Sequence, residues 1–258
     1  MSKTRVAIFG AAGRMGVALA NAARERDDVA IVAALVRKDS ARLGTFMPVG
    51  ELRYTAELEG EADAIVDFAG ARGFDEGLAI ALAARCAFVS GSTGLNEAQL
   101  AALKRASATI PVMWAANFSL GVAVLKRLVA DAARLLGHEF DAEIFEAHHR
   151  QKVDAPSGTA IALGQEIAGA RGQRFESVAR LARSGYTGPR ADGEIGFSVQ
   201  RCGDIIGEHT VTFAASGERL ELTHRATRRS VFAHGALRAA VWLAQRRAGR
   251  YELGDLLG

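Results

Sequence analysis

The stretch richest in reactive side chains is Glu146-Ala147-His148-His149-Arg150-Gln151-Lys152-Val153-Asp154-Ala155-Pro156-Ser157-Gly158-Thr159-Ala160. Four side chains that can carry positive charge, His148, His149, Arg150 and Lys152, fall within five positions. Crowded cations repel unless an anion joins them, so the run points to an anion site more than to a plain solvated loop. Histidine is the natural proton donor near neutrality. The lysine is informative because the chain uses arginine 27 times and lysine only five. Burial or neighbouring cations can strip a lysine of its proton, whereas arginine keeps its own. Pro156-Ser157-Gly158-Thr159 then has the form of a helix start. Its free N–H groups would make a compact carboxylate site, with Gly158 allowing close approach and the Thr159 hydroxyl adding a bond. A capped helix end with no ligand is the plainer alternative. Adjacent histidines also raise a metal, but only Glu146 could assist them and no cysteine stands at ligand spacing, so no metal is expected. His138, His209, His224 and His234 stand apart and read as structural, and Trp114 and Trp242 as core.

A second chemical signal opens the chain. Val6-Ala7-Ile8-Phe9-Gly10-Ala11-Ala12-Gly13-Arg14-Met15-Gly16 reads as strand, glycine turn, helix. Such a turn brings backbone N–H groups and a helix N-terminus to a pyrophosphate. The spacing is G-x-x-G-x-x-G, not G-x-G-x-x-G, so its place after the first strand of an α/β pattern carries the nucleotide assignment. At the end of the second strand, Ala34-Leu35-Val36-Arg37-Lys38-Asp39, valine stands where a ribose-binding carboxylate is expected. Arg37 and Lys38 suit a 2′-phosphate, which predicts NADPH over NADH; two solvated loop cations are the alternative. Gly91-Ser92-Thr93-Gly94 and Ala115-Ala116-Asn117-Phe118 follow later strands and are candidates for holding the nicotinamide half, or simple helix-entry turns.

The elements that must position these residues follow from hydrophobic period. Strands are expected at Arg5–Phe9, Ala30–Leu35, Ala64–Phe68, Ala87–Ser90 and Val112–Ala115, near-continuously apolar as in a sheet covered on both faces. Helices are expected at Arg14–Arg26, Gly73–Arg85 and Asn96–Ala106, the last with Asn96 as N-cap. After Asn117 the pattern changes. An amphipathic helix, Leu120–Leu136, sets Val124, Leu125, Leu128, Val129, Ala132 and Leu135 on one face and stops at Gly137. A strand at Ala142–Ala147, a helix at Ser157–Ala168, strands at Ile195–Arg201, Glu208–Ala214 and Arg219–Thr223, and a last helix at Val231–Arg247 complete the pattern. Parallel units followed by strands on short turns predict an α/β Rossmann-like nucleotide-binding domain plus an α+β domain.

The 258 residues are 49% apolar with a formal net charge of +3. That is enough for two modest cores, and the scattered basic residues argue against nucleic acid as a partner while suiting a small anion. Cys86 and Cys202 read as buried small hydrophobes. The short N-terminal apolar run is too brief for a secretion signal and no stretch reaches a membrane span, so a cytoplasmic protein is expected.

These motifs together resemble the 4-hydroxy-tetrahydrodipicolinate (dihydrodipicolinate) reductase family. The resemblance rests on Gly10-Ala-Ala-Gly-Arg-Met-Gly16, Gly91-Ser-Thr-Gly94, Asn117-Phe-Ser119, Glu146-Ala-His-His149, Lys152-Val-Asp-Ala-Pro-Ser-Gly-Thr159 and Gly203-Asp-Ile-Ile-Gly-Glu-His-Thr-Val211. It implies a dinucleotide-binding domain at 1–117 and 228–258, and a substrate-binding and oligomerisation domain at 118–227. It makes His148 the acid/base residue, Lys152 a second proton donor, and His149, Gly158 and Thr159 the holders of the substrate carboxylates. Gly10, Ala11, Ala12, Gly13, Arg14, Met15, Arg37, Gly91, Ser92, Thr93, Ala115, Ala116, Asn117 and Phe118 would contact NADPH or NADH. A homotetramer built through the second domain's sheet is implied as well. The chain departs from the family at Val36, and at Asp67-Phe68-Ala69-Gly70, which lacks the usual Thr or Ser and Pro. The implied reaction adds hydride to a cyclic, conjugated imine dicarboxylate and then protonates the enamine that results. An aspartate or homoserine dehydrogenase would share the nucleotide domain but not the His148-His149 and Lys152–Thr159 combination. A nicotinamide-sensing binding protein would need no proton donors.

Overall fold

The computed structural model describes residues 2–258. They form two compact units, 2–119 with 230–258, and 120–229. The first begins with strand β1 (Thr4–Phe9), helix α1 (Arg14–Arg24), β2 (Val29–Leu35), a short β3 (Tyr54–Thr55), β4 (Ala64–Asp67), α2 (Ala71–Ala84), β5 (Ala87–Ser90), α3 (Glu97–Ala106) and β6 (Pro111–Trp114). The second comprises α4 (Leu120–Leu136), β7 (Asp141–His148), α5 (Gly158–Ala170), α6 (Phe175–Val178), β8 (Ala179–Arg180), β9 (Ile195–Arg201), β10 (Gly207–Ala215) and β11 (Glu218–Ala226). The chain then returns to the first unit as α7 (Ser230–Leu243), β12 (Gly249–Tyr251) and a 3-10 turn at Leu253–Leu257.

In the first unit seven strands run in the order β12-β6-β5-β4-β1-β2-β3, every pairing parallel. β4 and β5 bury every residue and β1 its last four, because helices cover both faces. Phe9, Phe74, Leu78, Phe88 and Leu103 fill the α2/α3 side, with Phe74 and Phe88 edge to face at 5.7 Å. Asn96 caps α3 as expected, within a reciprocal capping box with Gln99. Strand order reverses beside β1, since β2 and β3 lie on one flank and β4 on the other. The carboxyl ends of β1 and β4 flank that reversal, the place where an open parallel sheet binds its ligand.

The second unit has one mixed sheet, β11-β10-β7-β9-β8, with β7 parallel to β9 and antiparallel to β10. α4 and α5 cover one face, burying Leu125, Val129, Ile144, Leu163, Ile167, Phe197, Val211 and Phe213. The opposite face carries Thr210, Phe145 and Ser198 side by side in register.

Several expectations differ in detail. The interior face of α4 is Val122, Leu125, Val129 and Ala133, whereas Val124, Leu128 and Leu135 are exposed, Leu135 at 84%. Two adjacent apolar stripes exist on this helix, and period alone does not say which one is covered. β3, α6, β8, β12 and the last turn are too short to show a period. Trp114 and Trp242 are half-buried instead of core, and Cys202 is exposed while Cys86 is buried. No helix among the described residues is long and apolar enough to cross a membrane.

Candidate active site

The nucleotide-binding candidates gather at the carboxyl ends of the parallel strands. Gly10 follows β1 with φ +79°, and a Cβ there would stand 2.8 Å from the Ala69 nitrogen, so only glycine fits this turn. A Cβ on Gly16 would meet the Ala11 carbonyl oxygen at 2.4 Å, which keeps α1 tight against the turn. Gly13 caps α1 without any side-chain bond, Ala12, Gly13 and Arg14 are exposed, and Met15 is half-buried. This is a glycine cradle at a helix start left open to an anion. Ala11 is fully buried and could contribute only its backbone. After β2, Val36 is buried, and Arg37 lies half-buried with an Asp39 carboxylate 3.4 Å from its guanidinium. Asp39 also meets Arg72 at 3.2 Å, so its charge is turned to arginines.

The loops after β4, β5 and β6 are tied together. Asp67, wholly buried, accepts from Ser90 Oγ at 2.7 Å and from the Ala69 N–H at 2.9 Å. Burial pushes its carboxyl up, and the Ser90, Ala69 and Ser92 bonds act against that. Ser92 Oγ accepts from the Gly70 N–H at 2.8 Å, while the Ser92 carbonyl accepts from Trp114 Nε1 at 2.8 Å. The Phe68 ring packs where a Gly91 Cβ would be, 2.1 Å away, and meets Phe118 edge to face at 5.9 Å. Ser92 and Phe118 are therefore buried struts of these loops, with their side chains turned inward. Thr93 and Ala116 are exposed, Ala115 is half-buried, and Asn117 Oδ1 accepts from the Ser119 N–H.

In the second unit, His148 ends β7, and Glu146 lies on the same side two residues earlier because side chains alternate along a strand. Glu146 is fully buried. One carboxylate oxygen lies 2.5 Å from His148 Nδ1, and the other accepts from the Ser157 N–H at 3.0 Å. Arg201, paired with His148 in the β7–β9 register, donates to both oxygens at 2.9 and 2.8 Å and to the Asp154 carbonyl at 2.6 Å. Burial alone would raise this carboxyl, but His148, Arg201 and the Ser157 N–H outweigh it and hold it down to about 2. His209 sits opposite Glu146 on β10, its ring 5.2 Å from that of His148 and its Nε2 3.1 Å from Ser157 Oγ. Ser157 Oγ also accepts from the Ala160 N–H, capping α5.

The remaining loop residues follow. Lys152 Nζ donates to both Asp154 oxygens at 2.6 and 2.8 Å, so a carboxylate offsets the cation crowding expected there. His149 is held low first by burial, then by the positive charges of Arg229, His148, Lys152 and Arg201. Its Nδ1 is buried with no hydrogen-bond partner among the described residues. Arg150 is exposed. Gly158 opens α5 with nothing within 4 Å of where its Cβ would stand, and Thr159 is half-buried beside it. Lys152, His148, Arg201 and Arg229 thus act together on His149, and among the described residues Glu146 and Asp154 are the acids bonded within this group, an environment that favours an anion.

Residues 4–118 match the model of the dihydrodipicolinate reductase N-terminus and residues 121–257 that of its C-terminus. The chain belongs to the dihydrodipicolinate reductase family. A 4-hydroxy-tetrahydrodipicolinate reductase of Alkalilimnicola ehrlichii is 47% identical over 99% of each chain, and one of Pseudoalteromonas translucida is 46% identical over 100% of this chain and 99% of its own. The fold is that of a dipicolinate-bound dihydrodipicolinate reductase from Paenisporosarcina sp. TG-14, with TM-score 0.77, 24% identity and 97% of both chains covered.

For this member of the family, Arg201, His209 and Phe68 were not legible as site residues. Arg201 and His209 lie 55 and 63 positions from Glu146 and reach it only through strand pairing. Glu146 itself carried a usable signal, since Glu-x-His in a strand puts both side chains on one face. The pair has a consequence for stability. Burial, then the charge of His148, pushes His209 down to about 4 from 6.5. A histidine more acidic when folded contributes stability that is whole above about 6.5 and is lost as pH falls toward 4. That loss amounts to about 3 kcal/mol. Glu146, lowered from 4.5 to about 2, adds a further loss only below 4.5. Urea unfolding of the wild type should therefore weaken steadily between these pH values, and His209→Gln should flatten the slope. An unchanged slope in the variant would move the effect to other groups.

Proposed function

We propose that this protein reduces the cyclic imine dicarboxylate derived from 4-hydroxy-tetrahydrodipicolinate to tetrahydrodipicolinate, in diaminopimelate and lysine biosynthesis. The observation that carries this is the cluster of Lys152, His148, His149, Arg201 and Arg229 beside the open start of α5, in a chain 47% identical, end to end, to a reductase of that name. The nicotinamide, when bound, supplies hydride. The rest falls to the protein's own groups. Gly10–Met15 and the first turn of α1 receive a pyrophosphate. Gly91–Thr93 and Ala115–Phe118 border the nicotinamide half, with Ser92 and Phe118 shaping these loops from within. His149 and the backbone of Gly158 and Thr159 hold the carboxylates, and the excess positive charge stabilises the electron-rich ring as it forms. His148 or Lys152 gives the proton that completes the reduction.

NADPH is the favoured reductant in this proposal, because buried Val36 offers the ribose no carboxylate and Arg37 with Lys38 suits a 2′-phosphate. The uncovered face of the second sheet, where Phe145 is 38% exposed, supports a homotetramer assembled through that face. A cytoplasmic location fits a nicotinamide enzyme with unpaired cysteines. The test is loss of nicotinamide absorbance, coupled to the synthase that forms the substrate from pyruvate and aspartate semialdehyde. Oxidation should require the synthase product, with a KM for NADPH at least about tenfold below that for NADH, worth about 1.4 kcal/mol. Arg37→Ala should narrow that gap. Tight NADPH binding without turnover would point instead to a nicotinamide-sensing protein.

A further inference from the structure

Glu146 has no counterpart among the acid/base and carboxylate-holding roles above, yet it touches more of the site than any of the residues given them. It is fully buried, and its two oxygens join His148 Nδ1, the Ser157 N–H at the head of α5, and the Arg201 guanidinium. An ionised carboxylate only accepts hydrogen bonds, so the nitrogen facing it must carry a proton. The other ring nitrogen, Nε2, lies over Gly207, where a Cβ would stand only 3.0 Å from it. Glycine at 207 keeps that nitrogen clear of a side chain.

We infer that Glu146 is a positioning residue for the reduction: its carboxylate fixes the proton of His148 on Nδ1, so that the ring presents Nε2 to the substrate, and fastens that ring to the start of α5. This rests on the proposed reductase function. Having given up the Nε2 proton, the ring is left neutral with its proton on Nδ1, which is the form Glu146 stabilises. Arg201 donates to both oxygens of the same carboxylate and so holds it in place against the ring. His209 from β10 stacks edge to face on the His148 ring, and His149 beside it feels the charges of His148, Lys152, Arg201 and Arg229, while Lys152 is bonded to Asp154. Apart from Asp154, which is engaged by Lys152, these can only add positive charge. Among the described residues, Glu146 is the one acid in contact with the ring.

The test joins nitrogen-15 histidine spectra of the ligand-free protein to kinetics of Glu146→Gln. In the wild type with the ring neutral, Nδ1 of His148 should be the protonated nitrogen and Nε2 the bare one. In the variant the tautomers should redistribute, and kcat should fall about 10²-fold with NADPH affinity unchanged. A wild-type ring protonated on Nε2 would overturn the inference, as would a variant with wild-type kcat. If the variant does not fold, the wild-type spectrum alone decides. Absence of wild-type turnover on the synthase product would count against the reductase function, while the spectrum, recorded without substrate, still reports whether Glu146 sets the tautomer.

Discussion

Lys152→Ala should lower kcat by about 10²–10⁴-fold, the range of a lost proton donor, while leaving NADPH affinity unchanged. Lys152 lies in the loop between β7 and α5, in the unit that does not carry the glycine cradle. Its side chain is 21% exposed and its ammonium is gripped by Asp154, whose side chain is 52% exposed. Exposed pairs of this kind contribute about 0–1 kcal/mol, so the substitution should remove chemistry without unfolding the protein. Steady-state kinetics and an NADPH titration read the two effects separately. A raised KM with unchanged kcat would reassign Lys152 to holding the ground-state carboxylates. Turnover and KM both at the wild-type level would remove it from the site altogether.

Arg201→Met should cost about 3–5 kcal/mol of stability, the usual result of stripping the partner from a buried charge. Arg201 is the only guanidinium bonded to Glu146 among the described residues, and it binds both oxygens. Without it a wholly buried carboxylate is left with His148 and one backbone N–H, and the Asp154 carbonyl loses its donor as well. Urea unfolding measures the loss. Adding Glu146→Gln to Arg201→Met should recover a substantial part of it, because the buried charge then disappears. A cost below about 1 kcal/mol for the single change would place the pair with exposed ion pairs of little consequence.

Glu146 and Lys152 also divide the site by kind. Lys152 is half-buried on a loop, where its effect is on the reaction. Glu146 and Arg201 lie beneath, where the same bonds that orient His148 also hold β7, β9 and the head of α5 together. Loss of activity in either buried position must therefore be read beside a measure of folding.

Short-range chemistry is legible along the chain. The strand, glycine turn and helix of Val6–Gly16 follow one another directly, Asn96 can cap only the helix that follows it, and Leu120–Leu136 carries its helical period up to the stop at Gly137. The Lys152–Thr159 run likewise announces cations followed by a helix start. The tertiary structure alone decided which of two apolar stripes on α4 is covered, and that Ser92 and Phe118 are buried struts. It alone brought Arg201 and His209 to Glu146. Those outcomes depend on strand register and on what packs against each face. Pairing energy is shared among residues far apart in the chain, so no local pattern fixes which partner arrives.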